Sequence, residues 1–295
     1  MEPRSGTGGR DWAEIAQEYL AGGDDTQAHR AAQEATNQRP DDPVAWHLRA
    51  QASLSLGRQA DALFEVNEAV RLSPYVAEFH ATLGDVRCAE QDWPRAREAY
   101  SRARELDPAN PAYAVGVATT LVDDLDTAVA LCEEAVREHP SNTYFRECLV
   151  VALADSITEG WSELADGDRA ITNAAQLRHA RERLARIATV DLSEPEFEEV
   201  RAHLDEIRRI TDRAERVRWY GSDHMAAYLG GMAVAVVAFL IGTGSGSGGL
   251  AFLAVLVGVG IAAVYVGRHR MAGWRWTRRH VTDSVRRTGL QDGSG

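Results

Sequence analysis

The sequence predicts an all-α protein: an α-solenoid of about four to five helix pairs, additional C-terminal helices, and then a transmembrane helical hairpin. Three observations carry that expectation. Prolines recur with a period near 34 residues through the first half of the chain, two long apolar runs lie near the C-terminal end, and charge is divided unequally between these parts.

Met1 to Asp212 holds 22 Arg against 40 acidic residues, a net charge of −18. Arg213 to Gly295 holds 10 Arg against 4, a net of +6, and there is no Lys anywhere. An acidic part is thus fused to a basic, apolar one, which points to a membrane surface before nucleic acid, because the basic part also holds the apolar runs. The Lys-free, Ala- and Arg-rich usage suggests a high-GC bacterial source. Cys88, Cys132 and Cys148 are too widely spaced for a redox pair or a secreted disulfide framework and read as core thiols in a reducing compartment. Residues 1–8 read as a disordered N-terminus without the apolar segment of a secretory signal, so the expected location is cytoplasmic.

Residues 9–157 carry the repeat. Pro40, Pro74 and Pro108 are 34 apart, and Pro140 follows after 32. Each is preceded by a pair of alanines seven residues apart: Ala28 and Ala35, Ala62 and Ala69, Ala96 and Ala103, Ala128 and Ala135. That spacing puts both on one helical face, where a larger side chain would hold the neighbouring helix away. A helix pair of this size cannot bury its apolar face alone, so successive pairs are expected to stack into a continuous core.

These positions resemble the tetratricopeptide-repeat (TPR) family. The third unit matches best, through Leu83, Gly84, Ala96, Tyr100, Ala103 and Pro108. The first offers Trp12, Ile15, Ala16, Tyr19, Ala28, Ala35 and Pro40. The second offers Trp46, Ala50, Ala62, Ala69 and Pro74, with Arg49 where the family prefers Leu. The fourth is two residues short around Asp123 to Asp126, and a fifth first helix is expected from Thr143 to Ser156.

The resemblance implies that the first helix of each unit lines a concave, partner-binding face. In register, those positions are Arg10, Ala13, Gln17 and Leu20; Val44, His47, Gln51 and Leu54; Glu78, Ala81, Asp85 and Cys88; Ala112, Val115, Thr119 and Val122; and Tyr144, Glu147 and Val151. Gln17, Gln51, Glu78, Asp85 and Thr119 are the expected polar readers, Leu54, Val115 and Val122 the apolar contacts, and His47 a polar wall residue. Family members that grip the acidic tails of heat-shock chaperones do so with Lys, Arg and Asn. Here Glu78 and Asp85 would repel a carboxylate, so a protein partner offering an apolar or basic segment is expected.

Residues 158–220 read as a helical extension or cap leading to the membrane. Loop is expected around Thr158–Gly160 and Asp166–Asp168, then helix from Asp168 to Thr189. Ser193 to Glu196 forms a capping-box pattern with Pro195 in the first turn, so a second helix is expected to start near Glu194. Its stripe of Phe197, Val200, Leu204 and Ile207 could cap the solenoid or pair with a second copy, and its continuation to Trp219 would couple the repeats to the membrane.

Residues 221–267 read as the hairpin, with helices at 224–241 and 250–267 and a Gly/Ser loop at 242–249. Each run approaches the roughly 17 to 25 residues that span a bilayer. So short a loop leaves both outer ends on one side, and the arginines lie at those ends, which predicts a multi-pass inner-membrane protein with both termini cytoplasmic. Arg218, Trp219, Tyr220, Arg268, Arg270, Trp274, Arg275 and Trp276 are the expected membrane-interface residues, with residues 268–295 a basic tail against anionic headgroups. Ala226 with Gly230, Gly231 with Ala235, and Ala254, Gly258 and Ala262 are spaced for close helix packing, within the hairpin or in a homo-oligomer.

No pattern for chemistry appears. The Gly-rich loop lacks the Gly-Lys-Ser/Thr of a phosphate cradle, and there is no zinc spacing, metalloprotease motif or nucleophile elbow. The expectation is therefore no enzyme, no cofactor, no metal and no nucleic acid. It is a membrane-anchored scaffold that binds partner proteins; the alternative is an effector whose assembling hairpins disturb the bilayer.

Overall fold

The computed structural model describes residues 11–220 and 224–291. The expected disordered stretch 1–8, Arg10, residues 221–223 of the expected hairpin and residues 292–295 of the tail lie outside the described residues. The chain divides into two compact units, residues 1–153 and 154–295.

The first unit is a run of paired helices: α1 (Trp12–Ala21) with α2 (Asp25–Gln38), α3 (Pro43–Ser55) with α4 (Gln59–Leu72), α5 (Ala77–Ala89) with α6 (Trp93–Leu106), and α7 (Pro111–Thr119) with α8 (Leu125–Glu138). A longer helix, α9 (Thr143–Glu159), begins after Pro140 and runs past the boundary between the units. Caps set the starts. Asp11, Asp24, Asp42, Asp92, Asn110 and Asp124 each accept a backbone N–H from the first turn of the helix they precede, and Pro43 and Pro111 occupy first-turn positions that need no donor.

The prolines set the stops. The residues before them, Arg39, Ser73, Asp107 and His139, all leave helical geometry, with φ between −142° and −131° and ψ between 69° and 84°. A following proline ring disfavours helical backbone at the residue before it, which explains the common exit. Each of the four donates its N–H to the second alanine of its pair, Ala35, Ala69, Ala103 or Ala135. All eight alanines are buried, at 0–1% exposure, so the seven-residue spacing marks the tightest helix contacts. Between partners the chain turns through Gly23 (φ 74°), Gly57 (φ 70°) and Gln91 (φ 61°), again 34 apart. The fourth unit, two residues short, has its first helix cut to α7 and a plain turn after it.

The second unit contains α10 (Ala174–Ile187), α11 (Glu198–Glu215, entered through a 3-10 turn at Pro195–Phe197), α12 (Met225–Gly244), α13 (Gly248–His269) and α14 (Gly273–Val281). Its core gathers Trp161, Ile171, Ile187, Phe197, Leu204 and Ile207, all at 2% exposure or less. Five short strands join these helices: β1 (Ser162–Leu164), β2 (Arg169–Ala170), β3 (Val217–Trp219), β4 (Arg270–Ala272) and β5 (Val285–Arg287). β1 is central, antiparallel to β2 on one side and to β5 on the other, and β3 pairs antiparallel with β4.

Several expectations for this unit need correction. The helix expected from Asp168 begins at Ala174, because Arg169–Ala170 pair with β1 and Asn173 supplies the cap to Gln176 N–H. The capping box at Ser193 does not form. Ser193 N–H bonds to Asp191, and the Arg201 guanidinium instead donates to the Leu192 and Glu194 carbonyls, fixing the approach to α11. That helix ends at Glu215, and the chain reaches Trp219 as strand β3. The two apolar helices run further than expected and leave only Ser245–Ser247 between them. Gly242 permits this: a Cβ there would lie 2.6 Å from the Ala251 nitrogen. Nor do residues 268–291 form a free tail, since β4, α14 and β5 fold into this unit.

Candidate groove and apolar hairpin

Three of the first helices, α1, α3 and α7, start from an Asp or Asn cap and α5 starts at Val76 without one, yet the 34-residue period keeps the side chains of α1, α3 and α5 in register. Gln17, Glu78 and Thr119 are exposed, and Gln51 and Leu54 are half-buried. The Thr119 hydroxyl donates back to the Gly116 carbonyl at 2.8 Å. His47 is buried at 4% exposure, with Nε2 2.9 Å from the Thr82 hydroxyl and its ring against Phe79; desolvation lowers its pKa, partly opposed by Glu78. It is a core histidine between α3 and α5, not a wall residue open to solvent. Val115 is fully buried, and Val122 lies beyond the end of α7, so neither presents an apolar contact from a helix face.

Asp85 carries the densest chemistry. Its Oδ1 accepts the Tyr100 hydroxyl at 2.6 Å, and the Cys88 thiol approaches the same hydroxyl at 3.9 Å. Desolvation raises the Asp85 carboxyl, the Tyr100 bond working against it, while desolvation and then the Asp85 charge push the Tyr100 phenol far above its ordinary range. Tyr100 comes from a second helix, where no groove residue was expected. Its ring passes between α5 and α7: a Cβ at Gly84 would lie 2.7 Å from it, and one at Gly116 2.5 Å. A tyrosine bracketed by glycines in the two neighbouring first helices was the available signal. Desolvation raises Tyr113 and Tyr144, with weaker contributions from Glu78 and Asp85 respectively. Tyr144 is half exposed, at 51%, and Glu147 and Val151 are also exposed. Cys148, beside Tyr144, is pushed up to about 11 and the buried Cys132 up to about 12, in both cases by burial, so neither thiol is a ready nucleophile.

No protein-family model and no curated protein matches this chain. Solved structures do. A thermophilic TPR protein from Thermus thermophilus aligns over 68% of this chain and 98% of its own, at 15% identity and a TM-score of 0.50. The fold is a TPR-like solenoid. The first TPR domain of human RPAP3 aligns over 40% of this chain and 90% of its own, at 25% identity and a TM-score of 0.36. The TPR domain of Sgt2 from Aspergillus fumigatus aligns over 42% and 87%, at 21% identity and a TM-score of 0.37. In a TPR-like frame Arg49 replaces a customary Leu, and its Nε lies 2.7 Å from Glu65, which is 1% exposed and also accepts the Ser53 hydroxyl at 2.6 Å. The departure from the pattern is thus matched by a buried acid on the neighbouring helix.

In the second unit of this TPR-like chain, α12 and α13 are long and apolar enough to cross a membrane, with mean hydropathies of 2.1 and 2.5. Only 11% of each apolar window is buried. They pack on each other through Gly231 against Ile261 and Ala235 against Gly258, while a Cβ added at Gly230 would meet nothing from other parts of the chain within 4 Å. At their outer ends, Tyr220 N–H donates to the His269 carbonyl and Gly273 N–H to the Arg216 carbonyl, extending the β3–β4 ribbon. Trp219, Tyr228, Tyr265 and His269 cluster there, with Trp219 and Tyr228 ring centroids 5.1 and 4.8 Å from Tyr265. Tyr220 stacks on Trp276 at 5.2 Å and Trp276 on His280 at 4.2 Å. Trp274 is half-buried with Arg275 over its ring, and Arg218, Arg268, Arg270 and Arg275 are exposed. Among the described residues no His, Cys, Asp and Glu cluster could hold a metal ion.

Proposed function

We propose that this protein is a membrane-anchored scaffold whose TPR-like unit binds a partner protein on its concave face. The observation that carries the reading is the union, in one chain, of a repeat solenoid with two apolar helices left almost uncovered by protein. An exposed apolar surface of that extent is costly in water and is matched by hydrocarbon. Arginines and aromatic side chains at the hairpin's outer ends and none in its turn favour both ends on the cytoplasmic side of an inner membrane.

The groove chemistry favours a basic or apolar segment. Glu78 is exposed, Asp85 keeps Oδ2 beside its bond to Tyr100, and Tyr113 and Tyr144 supply flat apolar faces with polar rims. A cross-linked pull-down from detergent-solubilised membranes, comparing the intact chain with a Glu78→Arg/Asp85→Arg variant, tests this. Loss of at least one partner is expected; unchanged recovery of all of them removes the groove while leaving the anchor untouched. The anchor is tested separately by alkaline carbonate extraction, which should leave the protein in the membrane pellet.

One observation favours a second reading. The Ala226 and Gly230 face of α12 has an unfilled approach at Gly230, as a hairpin that assembles with its own copies would need. Dye release from liposomes on clustering the repeat unit would support an effector, and its absence the passive anchor.

A further inference from the structure

At the hairpin's outer ends, within the second unit, lies a cleft of about 580 Å³ between α11, β3 and the start of α14. Arg213 and Arg218 line it, and among the described residues neither has a carboxylate within ion-pairing distance. Of the other charges on its wall, Arg169 bonds to Glu159 at 2.5 Å and Glu206 to Arg209 at 2.6 Å, while the Asp168 carboxylate sets one negative charge against the two of Arg213 and Arg218. The cleft therefore holds an uncompensated positive charge. Its wall also includes Trp161, 2% exposed, whose indole N–H has no acceptor among the described residues. A buried donor without a partner is rare in a folded protein and points to a missing oxygen nearby. The stacked Tyr220–Trp276 pair and Ile210 supply an apolar side.

We propose that this cleft binds a small ligand with an anionic phosphate group, the phosphate held by Arg213 and Arg218 and the organic remainder against Tyr220 and Trp276. Planar guanidinium groups present paired donors that match phosphate oxygens. The volume exceeds what a bare carboxylate or inorganic ion would fill. Two sources share this chemistry, the headgroup of an anionic phospholipid and a soluble phosphate ester; the first rests on the membrane-anchor reading, whereas the anion site itself does not.

The test uses the full-length protein in a nonionic detergent, titrated calorimetrically with short-chain phosphatidylglycerol, with glycerol phosphate and with short-chain phosphatidylcholine. Saturable binding of an anionic phosphate is expected, weakened at least tenfold in Arg213→Gln/Arg218→Gln and less than twofold in the charge-matched control Arg30→Gln/Arg104→Gln in the repeat unit. All four arginines are exposed, so these changes spare the core. Tight binding of glycerol phosphate assigns the site to a soluble ester, and binding of phosphatidylglycerol alone assigns it to a lipid headgroup. Equal weakening in both variants, equal affinity for phosphatidylcholine, or no saturable binding of either anionic probe overturns the proposal. If the protein proves soluble without detergent, the anchor fails, and the glycerol phosphate titration still decides the site.

Discussion

Tyr100 shows how much depends on an atom that is missing from the chain. Its ring occupies the space that a side chain at Gly84 or Gly116 would fill, and from there its hydroxyl reaches Asp85. Gly84→Ala or Gly116→Ala should lower stability by about 1–3 kcal/mol, the usual cost of overpacking, read from denaturant unfolding. Glu65 makes the complementary case. Burial outweighs its contacts with Ser53 and Arg49 and raises its carboxyl above the usual range. Arg49→Leu, although it introduces the residue preferred in tetratricopeptide repeats, should cost about 3 kcal/mol by leaving that buried acid with the Ser53 hydroxyl but no guanidinium, whereas Arg49→Leu/Glu65→Leu should fall within about 1 kcal/mol of the parent. A double-mutant cycle measures the difference. His47 adds a pH signature. Its folded pKa is depressed, so the neutral ring's contribution is complete above about 6.5 and is lost as pH falls from there toward the folded value. Between pH 7.5 and 5.5 the parent should lose more stability than His47→Gln, and equal slopes in the two melting series would contradict this.

At the scale of elements, the repeat was readable because one constraint recurs. Pro40, Pro74, Pro108 and Pro140 end their helices by the same steric route, and the paired alanines are buried in every unit. The same register exposes an imperfection: Gln91 occupies the left-handed turn position held by glycine at Gly23 and Gly57. Gln91→Gly should therefore stabilise the protein by about 0.5–1 kcal/mol, since the relief of left-handed strain exceeds glycine's entropic cost, and a rise in the thermal midpoint checks it. What the sequence concealed has equally plain causes. Strands of two or three residues, such as Arg169–Ala170 and Val285–Arg287, are too short to display a period of two, and their partners are remote. Val122 was assigned by extending a full-length register across a unit two residues short. Groove positions taken from first helices alone could not include Tyr100, which arrives from the second.

Across the whole molecule, charge does not divide where the structural units do: residues 1–153 hold 14 Arg against 26 acids, residues 154–295 hold 18 of each, and the basic surplus lies only after Asp212, around α12 and α13. The ends of those helices are tied together. β3 precedes the hairpin and β4 follows it, and the two pair over Val217–Trp219 and Arg270–Ala272. Further on, β5 completes the sheet on β1, Arg287 bonds to Glu159 at 2.9 Å, and Asn173 donates to the Leu290 carbonyl at 2.7 Å. Removing residues 285–295 should therefore destabilise the second unit and raise its protease sensitivity, where a free tail would be lost without effect; limited proteolysis of the full-length and shortened proteins distinguishes the two. The apolar pair is consequently an insertion within a folding unit and not an appendage to it. During synthesis, that unit has to wait for β5, which leaves the ribosome only after both greasy segments; under the proposed anchor, membrane delivery comes first and maturation of the neighbouring core second.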